Sequence, residues 1–214
     1  MRLSRPQVRR VDQDGLRELC RSLALQMGDF APDVVVGIAT GGADVAEHVV
    51  SALGGSPRLV ITRSQRPGTR LKQKPLFAWA LKAMPEALAN AARWFEVEYR
   101  EARYHLEASA DRLRAGGGLA RRLLGARRPH PSSQIVRPDL LAAAVAGAAR
   151  IAVVDDTVDS GQTLVGVTEA VAAANPAAQI RTAAIATTWR RPPVQPDYVI
   201  QGRLLLRLPS SFDA

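Results

Sequence analysis

The chain contains a single cysteine, Cys20, in 214 residues, which excludes a disulfide framework and a cysteine-rich metal cluster. Cys20 falls on the apolar side of an early helical pattern, so it is expected to be a core thiol in a reducing compartment. Long hydrophobic runs are also missing: none approaches the roughly 20 residues of a membrane-spanning helix. The basic start MRLSRPQVRR leads into VDQDGLREL, not into the apolar segment of a secretory signal. Together these absences predict a cytoplasmic protein without membrane association. No lysine follows Lys82 and no G-x-x-x-x-G-K-[ST] occurs, so a Walker-type phosphate loop is excluded. The three histidines, His48, His105 and His130, stand alone and are expected to be structural or exposed.

What is abundant is positive charge. Lys and Arg number 29 against 20 acids, a net charge of +9 and a pI near 10.9, which implies attraction to a polyanion: nucleic acid, lipid or a phosphorylated small molecule. A hydrophobic fraction of 47% with 23% charged residues fits one globular domain of ordinary size.

Along the chain, Asp12 is placed to cap a helix carrying Leu16, Leu19, Cys20, Leu23 and Met27 at helical spacing. VVVGI after Asp33 is the continuous β-branched run of a strand buried on both faces. Gly41 and Gly42 then open a helical stretch from Ala43 to Leu53. RLVIT and Ile151 to Val154 read as further strands, Leu140 to Ala146 and Gly161 to Ala174 as helices, and IRTAAIAT, DYVI and RLLLRL as late strands. This alternation predicts an α/β domain with a mainly parallel sheet, whose ligands sit at the carboxyl ends of the strands.

Between Ser64 and Val136 the sheet pattern stops, and a helical insertion at about 76–130 is expected. From Glu86 to Arg114, residues Leu88, Ala92, Phe95, Tyr99, Ala102, Leu106, Ser109 and Leu113 recur at alternating four- and three-residue steps, predicting a helix of about 43 Å. Such a seam needs a partner helix or a second subunit, hence the expectation of a homodimer. Trp79 and Trp94 are expected to pack this insertion. The arginines from Arg112 to Arg128 form a solvated face, a nucleic-acid contact or a lid over phosphates; they lack the interleaved aromatics of a single-strand binder.

The densest chemistry lies in VVDDTVDSGQTL, residues 153–164, where Asp155, Asp156 and Asp159 crowd three carboxylates between a strand and a helix. Carboxylates at a sheet's carboxyl edge accept hydrogen bonds from sugar hydroxyls or hold the water shell of Mg²⁺. The hydroxyls, the flexible glycine and the unpaired helix amides that follow suit a phosphate. A ribose phosphate carries both features a short distance apart. A receiver domain would need a downstream lysine, and a haloacid-dehalogenase-type phosphatase a D-x-D where Asp155 and Thr157 stand; both are lacking.

IAVVDDTVDSGQTL closely resembles the phosphoribosyl-pyrophosphate (PRPP) signature of the type I phosphoribosyltransferases: an apolar strand, two acids, two variable residues, Asp or Ala, then Thr or Ser, Gly and Thr. VVVGIATGGAD lies upstream, in the order this family uses for its pyrophosphate loop. The resemblance covers Val34 to Ala52, Leu59 to Arg63 and Leu140 to about Tyr198. It implies a three-layer α/β domain of the type I phosphoribosyltransferase fold, with a mainly parallel central sheet and the helical insertion outside the match. It further implies an Mg²⁺-dependent enzyme that moves 5-phosphoribosyl from PRPP to a nitrogenous base or related small-molecule acceptor, releasing pyrophosphate. Asp155 and Asp156 would hold the ribose 2′- and 3′-hydroxyls and the metal. Thr157, Val158, Asp159, Ser160, Gly161, Gln162 and Thr163 would wrap the 5′-phosphate. Ala39, Thr40, Gly41 and Gly42 would form the pyrophosphate loop, in which similar proteins often use a non-proline cis peptide. Arg63 matches a basic catalytic position, with Arg66, Arg70, Lys72 and Lys74 in a lid. Asp159 matches an acid that takes the proton of the attacking nitrogen; equally, it could merely cap the helix near Gly161.

The match fails where purine-using relatives close their base pocket. Trp189, Arg190 and Arg191 stand near the position of a pocket lysine, and Leu205 and Leu206 near that of an aromatic residue, so a 6-oxopurine acceptor does not follow. Trp189, Arg190 and Leu205 are the candidates for an altered pocket. The alternative is a PRPP- or nucleotide-sensing regulator that contacts nucleic acid or a protein through the basic insertion.

Overall fold

A computed structural model of the chain describes residues 7–65, 85–116 and 134–208. The expected lid residues Arg66, Arg70, Lys72 and Lys74, as well as Trp79, Arg121, Arg122, Arg127, Arg128 and His130, lie outside them. In chain order the elements are β1 (Gln7–Arg10), α1 (Gln13–Gln26), β2 (Val34–Ala39), α2 (Gly41–Ala52), β3 (Arg58–Gln65), α3 (Glu86–Gly116), β4 (Gln134–Val136), α4 (Pro138–Val145), β5 (Arg150–Val158), α5 (Gln162–Ala174), β6 (Gln179–Thr187), β7 (Tyr198–Gly202) and β8 (Leu204–Arg207).

Six strands form one sheet in the order β4-β3-β2-β5-β6-β7, parallel throughout except for antiparallel β4 at its edge. The continuous apolar runs of β2, β5 and β6 are what a sheet covered on both faces requires, because successive side chains point to opposite sides. Val35, Ala152, Val154, Ala183 and Ile185 join the α1 and α2 residues Leu16, Leu23, Val45 and Val49 in one core layer. Val34, Val36, Ile38, Ile151, Val153 and Ala184 meet Leu141, Val145, Leu164, Val167 and Val171 of α4 and α5 in the other. This is the expected three-layer α/β domain. Asp12 caps α1, its Oδ1 accepting from Gly15 N at 2.8 Å. Cys20 lies in the first core layer, and burial pushes its thiol up to about 12.

One expectation changes. β5 does not stop at Val154 but runs through the acids to Val158, with Asp155, Thr157 and Val158 in register with β6. Its partner on the other side, β2, pairs with it only up to Gly37 opposite Val154. The acids therefore ride on a stretch of β5 that pairs with β6 and runs past the end of its pairing with β2. Strands β1 and β8 form a separate parallel ribbon. QVRR, the sequence of β1, has no apolar alternation, so pairing with β8 alone makes it a strand.

The stripe of α3 expected to need a partner faces solvent: Leu88, Phe95, Tyr99 and Leu106 are 60%, 74%, 57% and 71% exposed. The helix docks on its own chain through the opposite side. Trp94 and Val97 pack with Trp189, Val8, Tyr104 and Leu205, while Arg203 lies over the Trp94 ring at 5.6 Å and bonds Glu98 at 2.9 Å. Glu101 accepts from the backbone N–H groups of Arg190 and Arg191 at 3.1 and 2.9 Å. Arg203, Glu98 and Glu101 make part of this docking surface charged, so a pattern of apolar residues alone does not find it.

Because Glu101 is 7% exposed, its removal leaves two backbone donors without their acceptor. Glu101→Ala is expected to lower unfolding stability by about 1.5–3 kcal/mol, the range for losing a charge-assisted hydrogen bond, read as a lower urea midpoint.

Candidate active site

The site assembles where the ends of β2 and β5, neighbours in the sheet, deliver their following turns. After β2 the chain enters α2 directly through Thr40, and the Ala39–Thr40 peptide is cis. A side chain on Gly41 would overlap the Asp156 carboxylate, its Cβ falling 2.6 Å from Asp156 Cγ. One on Gly42 would lie 2.9 Å from Asp155 Cα. Only glycine lets the loop come this close, so these two positions bring Ala39, Thr40, Gly41 and Gly42 against the paired acids. The same device acts deeper: at Gly37 an added Cβ would meet Ala46 Cβ at 2.6 Å, which is how closely α2 lies on β2. Arg63, exposed near the end of β3, is in register with Ala39 and so flanks the loop.

Asp155 Oδ1 accepts from the Asp156 N–H at 2.9 Å and Asp156 Oδ1 from the Thr157 N–H at 2.8 Å, so each carboxylate is tied to the strand that carries it. Burial pushes Asp156 above the ordinary carboxylate range; its bonds to Asp155 and Thr157 pull back, and the charge of Asp159 adds to the rise. Past Val158, Ser160 is buried, and Gly161 turns the chain at φ +76°, where a Cβ would strike Val194 at 2.5 Å. Helix α5 begins at Gln162, whose N–H reaches Ser160 Oγ at 3.5 Å. The first-turn N–H groups of a helix have no intrahelical acceptor and carry the positive end of its dipole. Residues 157–163 thus carry hydroxyls and helix-start amides beside the acids, groups suited to an anion.

Asp159 does not cap α5, whose N-cap, Gly161, makes no side-chain cap bond. Instead its Oδ1 accepts from Thr188 Oγ1 at 2.5 Å and its Oδ2 pairs with Arg100 at 2.8 Å. The capping alternative fails because the carboxylate turns away from the helix toward the end of β6 and α3. The candidate pocket residues are placed differently from expectation. Trp189 is 5% exposed and packed against Tyr104, with ring centroids 5.2 Å apart, so α3 takes up the surface on which a base would stack. Leu205 packs in the same cluster, and Arg190 reaches Glu98 at 3.6 Å. Arg100, Glu101, Thr188 and Arg203 are site or supporting residues that no motif singles out. The available signal was the spacing of Trp94, Val97, Glu101 and Tyr104, one helical side apart from the apolar seam.

Among the described residues, no group of three or more His, Cys, Asp or Glu is placed to hold a metal ion. Asp155 and Asp156 form a two-carboxylate set. That fits Mg²⁺, which takes one or two carboxylates and completes its shell with water and substrate phosphates. Also among the described residues, no helix is long and apolar enough to cross a membrane.

The raised Asp156 predicts a stability gain on neutralisation. A carboxyl whose folded-state pKa lies above its unfolded value costs stability once ionised, so the cost appears as pH rises through the folded value and vanishes below the unfolded one, near 4. Asp156→Asn is expected to raise Tm at pH 7–8. The difference should close toward pH 4 in thermal melts across pH.

No family model matches the chain, and no curated protein matches it. Solved structures do. A purine phosphoribosyltransferase from Pyrococcus horikoshii Ot3 is 16% identical over 95% of this chain and 94% of its own, with a TM-score of 0.53. A hypothetical protein from Neisseria gonorrhoeae with bound ppGpp is 11% identical over 98% and 92%, with a TM-score of 0.52. The α/β architecture with its mainly parallel sheet is therefore the type I phosphoribosyltransferase fold.

Proposed function

We propose that this chain, built on the phosphoribosyltransferase fold, is a phosphoribosyltransferase: it binds PRPP and transfers its 5-phosphoribosyl group to a nitrogen of a small acceptor, releasing pyrophosphate. The observation that carries this reading is the contact of Gly41 and Gly42 with Asp156 and Asp155 beside the start of α5. It sets hydroxyl acceptors between two backbone-lined loops, as a sugar carrying phosphates at both ends requires. In this reading Asp155 and Asp156 bind the ribose hydroxyls, residues 157–163 the 5′-phosphate, and Ala39 to Gly42 the pyrophosphate, with Arg63 beside it. Mg²⁺ held by Asp155 and Asp156 and by the donor's oxygens would neutralise charge on the leaving group. The acceptor nitrogen forms a bond to C1 as the C1–pyrophosphate bond breaks, and its proton passes to Asp159, oriented by Thr188 and Arg100. Arg100 also gives the acceptor side a fixed guanidinium, suited to a carbonyl or anionic oxygen next to the reacting nitrogen.

A second reading, a nucleotide-sensing regulator on the same fold, draws on the ppGpp bound by the neighbour from Neisseria gonorrhoeae and on the pairing of Arg100 with Asp159.

Pyrophosphate release from PRPP with Mg²⁺ and a panel of nitrogenous acceptors tests the enzyme; PRPP or nucleotide binding without turnover on any acceptor would favour the regulator. Asp155→Asn with Asp156→Asn is expected to abolish PRPP binding by calorimetry. Asp159→Asn should retain that binding and lose about 10²–10⁴-fold in kcat, the range for a general base. Equal turnover in Asp159→Asn would remove the proton-transfer role.

A further inference from the structure

We propose that the solvent-facing stripe of α3 pairs antiparallel, across a two-fold axis, with the same stripe of a second copy of this chain. Apolar side chains as exposed as Phe95 and Leu106, aligned along one helix, form a surface that water disfavours. They lie opposite Val97, the centre of the side docked on the body, so a second helix can approach without displacing the first contact.

The sequence of the stripe names its occupant. Its steps alternate four and three residues, so reversing the helix about the point between Arg100 and Glu101 returns the stripe onto itself. Ala92 then meets Ser109, Phe95 meets Leu106 and Tyr99 meets Ala102: large side chains oppose a leucine or a small residue, and small oppose small. The flanking charges obey the same symmetry. Glu96 and Arg103 follow the stripe positions Phe95 and Ala102, and in an antiparallel pair such positions face each other across the seam, so Glu96 of each copy meets Arg103 of the other. Both side chains are accessible, Glu96 45% and Arg103 61% exposed, with in-chain neighbours Arg100 and Glu107 at hand. A surface that is its own complement in size and charge under one two-fold rotation is the signature of an isologous contact. From Ala92 to Ser109 it runs about 26 Å.

Cysteine pairing tests orientation and register together, the native Cys20 being buried. Ala92→Cys mixed with Ser109→Cys under mild oxidation is expected to give a disulfide-linked heterodimer. Neither variant alone should cross-link, since like positions lie about 25 Å apart in this register and a disulfide needs Cα atoms within about 7 Å. In light scattering, the unmodified chain should be a dimer and Leu106→Glu a folded monomer whose Tm, unlike that of the unmodified chain, does not rise with protein concentration. Arg103→Glu should weaken dimerisation about tenfold, and adding Glu96→Arg should restore it. A monomer at all concentrations up to about 100 µM, cross-linking of either single variant with itself, or failure of the charge exchange to restore pairing would each overturn the proposal. None of these readouts uses PRPP or turnover, so the pairing stands or falls apart from the proposed reaction.

Discussion

The parallel pairing of β2 with β5 is the constraint on which the site depends. With Val34 opposite Ile151 and Gly37 opposite Val154, the two strands end at staggered heights, and everything chemical happens in the stagger. β2 turns into α2 at once, whereas β5 continues through Asp155 to Val158. The loop from the shorter strand then has one place to go, over the carboxylates of the longer one, and Gly41 and Gly42 let it lie there. The core residues on both faces of these strands set that stagger, so burial far from the site decides how close loop and acids come.

Three carboxylates within five residues remain together because each is held differently. Asp155 and Asp156 bond backbone amides of their own strand, and Asp156 carries the cost of burial. Asp159 is tied outward, to Thr188 on one oxygen and Arg100 on the other. A chain of strongly positive net charge thus spends one arginine on the acid farthest from the strand and none of its described ion pairs on Asp156.

The sheet was legible in the sequence because strands covered on both faces leave uninterrupted Val, Ile and Ala runs, and because Asp12 announces α1 in its side chain. The donor side of the site was legible as an ordered motif whose residues are all local to two turns. What escaped was held by long-range pairing: β1 is a strand only through β8, and Arg100 meets Asp159 only because α3 docks through Trp94 and Glu101. The apolar seam of α3 was legible as a stripe in need of a partner, whereas the side that meets the body was not. A helix with two working sides hides the charged one from any count of apolar residues. Trp189 misled in the same way, since its aromatic face is taken by Tyr104 of that helix.

The position of α3 in the chain has a consequence for the surroundings of Asp159. Its residues lie wholly between β3 and β4, while the acids and glycines belong to the turns after β2 and β5. Asp159 is where α3 reaches the acid-rich turn, through Arg100. A change of charge at Arg100 leaves every residue of the paired-acid turn as it is and presents Asp159 with a different neighbour. The chain thus keeps its paired acids and the neighbour of its third acid on separate segments, so the surroundings of Asp159 are set apart in sequence from those of Asp155 and Asp156.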